Sequence, residues 1–262
     1  MKQCLRTGLL THLPGLAATL LMCIGVGSAT AGSPEADGLQ DDGMMGSEYP
    51  RIPEPMVFDL VRPLGSTRGE LEVNTLAQHR GDGVLEWAPE IEFTIADGLA
   101  VELELPVENS TREATKVAVQ GTFRRGRTEH FIHGWQAIGA ERRDDGRRSF
   151  DGIYIAGYQF GALWSTLVMG GLRLDQTGRH TSGTVLLNAS AFYSLGDHST
   201  LGLEYNGRLE RHGRFSSYVP QLHHRLSDHW SLQTGLDFNR RRGSGAGSSH
   251  RVALSLRLIH TF

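Results

Sequence analysis

Residues 251–262 read Arg-Val-Ala-Leu-Ser-Leu-Arg-Leu-Ile-His-Thr-Phe, and the period of that stretch decides the fold. Val252, Leu254, Leu256 and Leu258 alternate with Arg251, Ala253, Ser255 and Arg257. In a strand this gathers the apolar side chains on one face and the small or charged ones on the other. The same period runs back to residue 69. Twelve segments alternate in this way, at 69–80, 83–95, 99–108, 115–125, 129–142, 149–160, 163–175, 182–195, 200–211, 214–227, 230–241 and 250–262, separated by turn residues.

Several segments separate their faces fully. In 83–95, Leu85, Trp87, Ile91, Phe93 and Ile95 oppose Glu86, Glu90, Glu92 and Thr94. In 230–238, Trp230, Leu232, Leu236 and Phe238 oppose Gln233 and Asp237. Segments 129–142 and 149–160 do not divide so cleanly. A soluble sandwich also alternates, so aromatic placement discriminates: Trp230 and Phe262 stand at segment ends, with Phe93 and Tyr193 near them, as in an interfacial girdle. An even number of such segments predicts a transmembrane antiparallel up-and-down β-barrel of 69–262. Connections 96–98, 126–128, 161–162, 196–199 and 228–229 share the side of the C-terminus and are short. Those at 109–114, 143–148, 176–181 and 242–249 fall on the other side and are longer, while 81–82 and 212–213 are short. Three turns share an Asp, at Asp97, Asp197 and Asp228, which can close a turn through its own backbone.

A final strand ending on an aromatic resembles the closing strand of Gram-negative outer-membrane barrels, which implies that Phe262 is an assembly signal read by the barrel-assembly machinery. Residues 90–106, EIEFTIADGLAVELELP, with 226–232 and Phe262, resemble the outer-membrane family of transporters and MetA-pathway-of-phenol-degradation proteins. That resemblance implies a setting in outer-membrane lipid and lipopolysaccharide. It also implies passage of small, often aromatic or apolar compounds, and brings no catalytic residues.

The N-terminus reads as a signal peptide over 1–31: Lys2 and Arg6, an apolar core over 16–26, and Ala29-Thr30-Ala31 for cleavage. The alternative is lipidation at Cys23, against which the bulky Met22 stands. Cys4 and Cys23 are the only cysteines, so a cleaved chain forms no disulfide or thiolate metal site. Residues 32–68 hold five prolines, which disfavour a central strand. They read as a periplasmic tail, with 56–64 (MVFDLVRPL) apolar enough to pack as an ordered leader, a plug in the lumen or a cover on its mouth. The net charge of −3 gives no reason to propose nucleic acid.

Facing the lumen, early strands present Glu70, Glu72, Glu86, Glu90, Glu92, Glu102 and Glu104; later strands present Arg124, Arg173, Arg208, Arg225, Arg251 and Arg257. Closure of the last strand on the first is expected to bring Arg251 and Arg257 near Glu70 and Glu72. Opposed acidic and basic walls act as a transverse field on a solute, or pair and fill the lumen. Twelve strands at ~4.8 Å spacing and ~40° tilt enclose only about 24 Å at the backbone. The function expected is passive passage of small solutes, with no cofactor, metal or enzymatic activity. The alternatives are a non-conducting adhesive barrel working through its external loops, a lipid hydrolase and a metal-resistance barrel. Arg80-Gly81-Asp82 spells an adhesion tripeptide, but Gly and Asp are also what a tight turn uses. The pair His180 and Ser182 falls on the outer side, yet no third residue orients that His. His223 and His224 are adjacent on a strand and point to opposite faces, which weakens a metal site.

Overall fold

The computed structural model describes residues 50–262 except 59, 179, 212 and 244–247; the expected signal peptide and residues 32–49 lie outside the described residues. Twelve strands form the wall: β1 (Leu71–Arg80), β2 (Leu85–Ala96), β3 (Leu99–Glu104), β4 (Ala114–Thr122), β5 (Phe131–Arg142), β6 (Arg148–Phe160), β7 (Trp164–Thr177), β8 (His180–Ser194), β9 (Ser199–Glu210), β10 (Gly213–Arg225), β11 (Trp230–Gly243) and β12 (Ser248–Thr261). Each pairs antiparallel with its neighbours in sequence, and β1 pairs with both β2 and β12, so the sheet closes. Closure leaves no unpaired edge, the condition for a sheet in lipid. Among the described residues no helix is long and apolar enough to cross a membrane.

Alternation sorts the side chains as the sequence predicts. Outward positions are apolar and exposed, including Ile91, Phe93, Leu203, Leu236, Leu254 and Leu256. Inward positions are buried and polar, including Glu92, Gln136, Glu204, Asn206 and Ser255. Aromatics gather at the end where β1 begins and β12 finishes. There Trp164 lies tilted against Tyr193 at 4.8 Å, and His260 lies between Trp230 and Phe262 at 4.4 and 4.3 Å.

The loops correct the expected asymmetry. β7 and β8 continue to Thr177 and His180, and β11 and β12 to Gly243 and Ser248, so those far connections are short. At the terminal end, 123–130 is instead a long excursion. Backbone pairing extended the far strands because their polar side chains cost nothing in water. β3 ends at Glu104 because Pro106 has no N–H to give. Beyond it Val107–Glu108 pairs with Glu86 and Trp87 of β2 and turns into Thr111–Arg112 through Asn109 and Ser110, both at positive φ. The Asp residues do not close their own turns. Asp97 Oδ1 accepts the Arg68 amide at 2.9 Å, and Ser227 Oγ, not Asp228, accepts the amides of His229 and Trp230.

Leu254, at the middle of β12 and facing outward, tests the lipid-facing assignment. Leu254→Arg is expected to lower folding stability in bilayers by roughly 2–4 kcal/mol, read from urea titration of tryptophan fluorescence. An unchanged midpoint would place that face in water.

Candidate functional site

The described residues of 50–66 run inside the barrel, and Thr67 and Arg68 are exposed at its rim. Ile52, Leu60, Val61 and Leu64 are buried against an inner patch that includes Ile132, Ile153, Ile155, Leu167, Met169 and Phe192, and Met56 is buried as well. Glycines in the wall let them approach. Side chains at Gly157, Gly134 and Gly235 would collide with or crowd Ile52, Leu64 and Met56 respectively. The backbone of this segment forms neither helix nor strand, so its polar groups need partners from the wall. Glu204 Oε2 accepts the amides of Met56 and Val57 at 2.8 and 3.1 Å, and Oε1 accepts that of Phe58 at 2.7 Å. The Asn188 and Asn206 amides also donate to Glu204, at 3.3 and 2.8 Å, and hold its carboxylate in place. Gln136 accepts the Val61 amide, Gln120 donates to the Arg62 carbonyl, and Thr122 Oγ1 accepts the Gly65 amide. The chain thus rises from β1, reaches its apex at 56–58 beside the middle of β9, and descends to Ile52 against β6. Gly65 and Gly69, both at positive φ, bracket its base.

Two guanidiniums sit among five carboxylates at mid-height. Arg62 binds Glu72 and Glu70, the latter at 2.8 Å, and lies 3.9 Å from Glu92. Arg257 binds Glu54 at 3.3 Å and Glu90 at 2.6 Å, lies 3.5 Å from Glu92, and donates to Asn74 at 3.0 Å. Acid exceeds base in this buried group, which favours a retained proton. Burial pushes the Glu54 carboxyl up to about 8, against the pull of Arg257 beside it.

Above the apex, toward the far mouth, is a vestibule of about 520 Å³ whose floor is Val57 and Phe58. Arg80, Arg173, Arg208, Arg241 and Arg251 line it, with Phe215, Ile138 and Leu186. Most of these cations have acids at hand. Arg173 binds Asp151 at 2.5 Å and Arg80 binds Glu86 at 2.8 Å, while Arg251 lies 3.6 Å from Asp82 and Arg241 3.8 Å from Glu210. Arg208 stands over the Phe215 ring at 4.2 Å.

The residues singled out in the sequence separate into three groups. Glu70, Glu72, Glu90, Glu92 and Arg257 meet at mid-height, with Glu102 and Glu104 buried on the same wall and Glu104 bound to Lys116. Glu86, Arg173, Arg208 and Arg251 line the vestibule. Arg124 lies exposed beyond the end of β4, and Arg225 is exposed at the terminal rim, where it donates to the Asp197 carbonyl at 2.7 Å. Arg257 joins the group that holds Glu72 but binds Glu54 and Glu90, because Arg62 takes Glu70 and Glu72, and Arg251 lies in the vestibule beside Asp82. Glu54, Arg62 and Glu204 were missed. Arg62 inside the apolar run 56–64, and Glu204 alone on the inner face of β9, are the signals that could have found them.

Other groupings give no site. His223 Nε2 donates to Gln221 Oε1, and His224 Nδ1 pairs with the Ser199 hydroxyl, on opposite faces. Glu90, Glu92 and Glu102 bring carboxylate oxygens within 4.8 Å of one another, but the cation beside them is the Arg257 guanidinium. Among the described residues no hydrogen bond joins His180 to Ser182, and both are exposed. Arg80 of the adhesion tripeptide is turned inward onto Glu86 and Glu108.

A closed antiparallel barrel, apolar outside and polar within, is the fold of outer-membrane β-barrels of porin-like type. Solved structures share it. The chain is similar to the NanC porin (8% identity, TM-score 0.60, covering 72% of this chain and 100% of that one). It is also similar to the KdgM porin in complex with disordered oligogalacturonate (10% identity, TM-score 0.59, 73% and 99%). A third is an outer-membrane channel from Pseudomonas putida F1 (10% identity, TM-score 0.57, 76% and 97%). At these identities the likeness is one of fold. No protein-family model and no curated protein matches the chain.

Glu204→Ala removes the acceptor of three buried amides. With roughly 1.5–3 kcal/mol for each hydrogen bond to a charged group, the segment is expected to loosen while the barrel stays heat-modifiable. Amide exchange at 56–58 should accelerate at least a hundredfold, and chymotrypsin should cut after Phe58. Unchanged protection would remove Glu204 from the latch.

Proposed function

We propose that this chain is an outer-membrane channel for small solutes, gated by its own residues 50–68. In this reading the terminal mouth opens to the periplasm, the far mouth and its vestibule face outside, and residues 1–31 direct export. The porin-like fold supports a channel, and the neighbours named above are themselves porins and channels. The observation that carries the gate is the way the segment is held. Its apex hangs on one carboxylate and its flanks on two arginine clusters, all groups that water can replace on release, while Gly65 offers a hinge at its base. A plug meant to be permanent would bury its backbone in a sheet or a helix.

The vestibule supports a solute class. Arginines and nearby acids almost balance there, so it favours neither ion strongly and instead offers a field across a polar wall. Phe58 and Phe215 add aromatic surface. Small solutes with an aromatic or apolar body and a polar group suit this lining, in keeping with the resemblance of residues 90–106. The opposed charges of Glu86, Arg173, Arg208 and Arg251 are then selectivity residues, and the mid-height acids are held by the segment until it leaves.

Planar-bilayer conductance tests the proposal. Residues 32–262 are expected to be closed for most of the time, and residues 69–262 to give stable steps of weak ion selectivity. Closing should also depend on pH. A released Glu54 gives up its proton near 4.5 and a docked one near 8, so docking takes up a proton. Docking is therefore strongest below about 4.5 and weakens as pH rises through 8. Open time should increase over that window and lose its pH dependence in Glu54→Gln. Silence of both chains as folded barrels would reject the channel.

A further inference from the structure

The outward face of β10, β11 and β12 changes character toward the far mouth. Tyr218, Phe238 and Val252 stand side by side across these strands, exposed, as the last apolar row. One step further Ser216, Arg240 and His250 form the next row. Beyond them Arg214 stands directly opposite Arg242. All four basic residues are exposed. Arg241, between them in sequence, has the opposite facing and lines the vestibule. Among the described residues Arg214, Arg240 and Arg242 make no ion pair or hydrogen bond.

Among the described residues none supplies a counter-ion to these three arginines. Residues 211–227 and 238–262 contain no Asp or Glu at all. Elsewhere on this rim three arginines have acids: Arg142 with Asp144 at 2.9 Å, Arg147 with Asp145 at 3.1 Å and Arg148 with Glu141 at 3.0 Å. Like charges directly opposite in a ladder repel each other. With strands ~4.8 Å apart and ~3.4 Å per residue, the three guanidiniums fall within a patch roughly 7–10 Å wide. It begins one row above the apolar belt, the depth of lipid head groups. Guanidinium forks match phosphate oxygens in a bidentate way that lysine cannot.

We propose that Arg214, Arg240 and Arg242 form a docking site for the phosphates of a phosphorylated glycolipid of the outer leaflet, the lipid A part of lipopolysaccharide. Its acyl chains lie along Tyr218, Phe238, Leu236 and Leu254, and its phosphates relieve the repulsion between Arg214 and Arg242. The inference rests on the outer-membrane reading but not on conduction, and its test measures no current, so the two can fail separately.

The full chain in detergent is titrated with bisphosphorylated lipid A, the same lipid without its phosphates, phosphatidylglycerol and inorganic phosphate, and bound lipid is read by native mass spectrometry. Bisphosphorylated lipid A is expected to bind roughly tenfold more tightly than the dephosphorylated form. The variant Arg214→Gln/Arg240→Gln/Arg242→Gln should lose that difference while remaining heat-modifiable, and Arg148→Gln should keep it. If the triple variant does not fold, Arg242→Gln alone is expected to weaken lipid A about threefold. Equal binding of the two lipid A forms, or of parent and variant, overturns the proposal. So does phosphatidylglycerol or inorganic phosphate binding as tightly as lipid A.

Discussion

Glu204 accepts three successive backbone amides from the apex of residues 50–68, and the organisation of the interior follows from that need. An irregular chain placed inside a barrel cannot satisfy its own N–H and C=O groups, and each one left bare costs about 1–3 kcal/mol. The wall therefore supplies them in order along the path: Gln136, Gln120, Thr122 and the Gly98 amide that meets the Ser66 carbonyl. Polar residues of the inner face are not a generic wet lining. Several stand where the segment has a group to be met, and Asn188 and Asn206 aim the carboxylate that does most of the holding.

Charge is the second constraint. The acids of β1 and β2 stand side by side on one wall, too buried for water to solvate them fully, and Arg62 and Arg257 are their answer. Leaving a buried partner uncompensated costs roughly 3–5 kcal/mol, so loss of Arg62 from the lumen must be matched by water or protons reaching Glu70, Glu72 and Glu92. Gate and lumen electrostatics are thus one system. Movement of the segment changes the charge that a solute would meet, and the protonation of Glu54 changes the hold on the segment.

The outer face was legible from the sequence and the inner face only in part. Lipid imposes one rule on every outward residue, so alternation placed all twelve strands within a few residues of their ends. The two segments that alternated poorly, 129–142 and 149–160, become β5 and β6, whose inner faces carry Ile132, Ile138, Ile153 and Ile155 beneath Ile52, Val61 and Leu64. Both faces of those strands are apolar for different reasons, one for lipid and one for the segment. The failure of the pattern was itself the mark of the docking surface. The expected approach of Arg257 to Glu72 followed correctly from closure of β12 on β1. It stops short of a direct bond because Arg62, from outside the strands, takes Glu72 while Arg257 binds Glu54 and Glu90, and no periodicity reports a contact made by irregular chain.

The most direct test of the account is a lock on the segment. The chain from 32 onward has no cysteine, and Met56 Sδ lies 3.0 Å from where a Cβ on Gly235 would be, so Met56→Cys/Gly235→Cys can join apex to wall. Single-channel recording of this variant should show closed barrels when oxidised and steps on adding reductant, with no response in either single variant. Identical currents in the oxidised and reduced states, with the disulfide verified by mass, would contradict a gate made of residues 50–68.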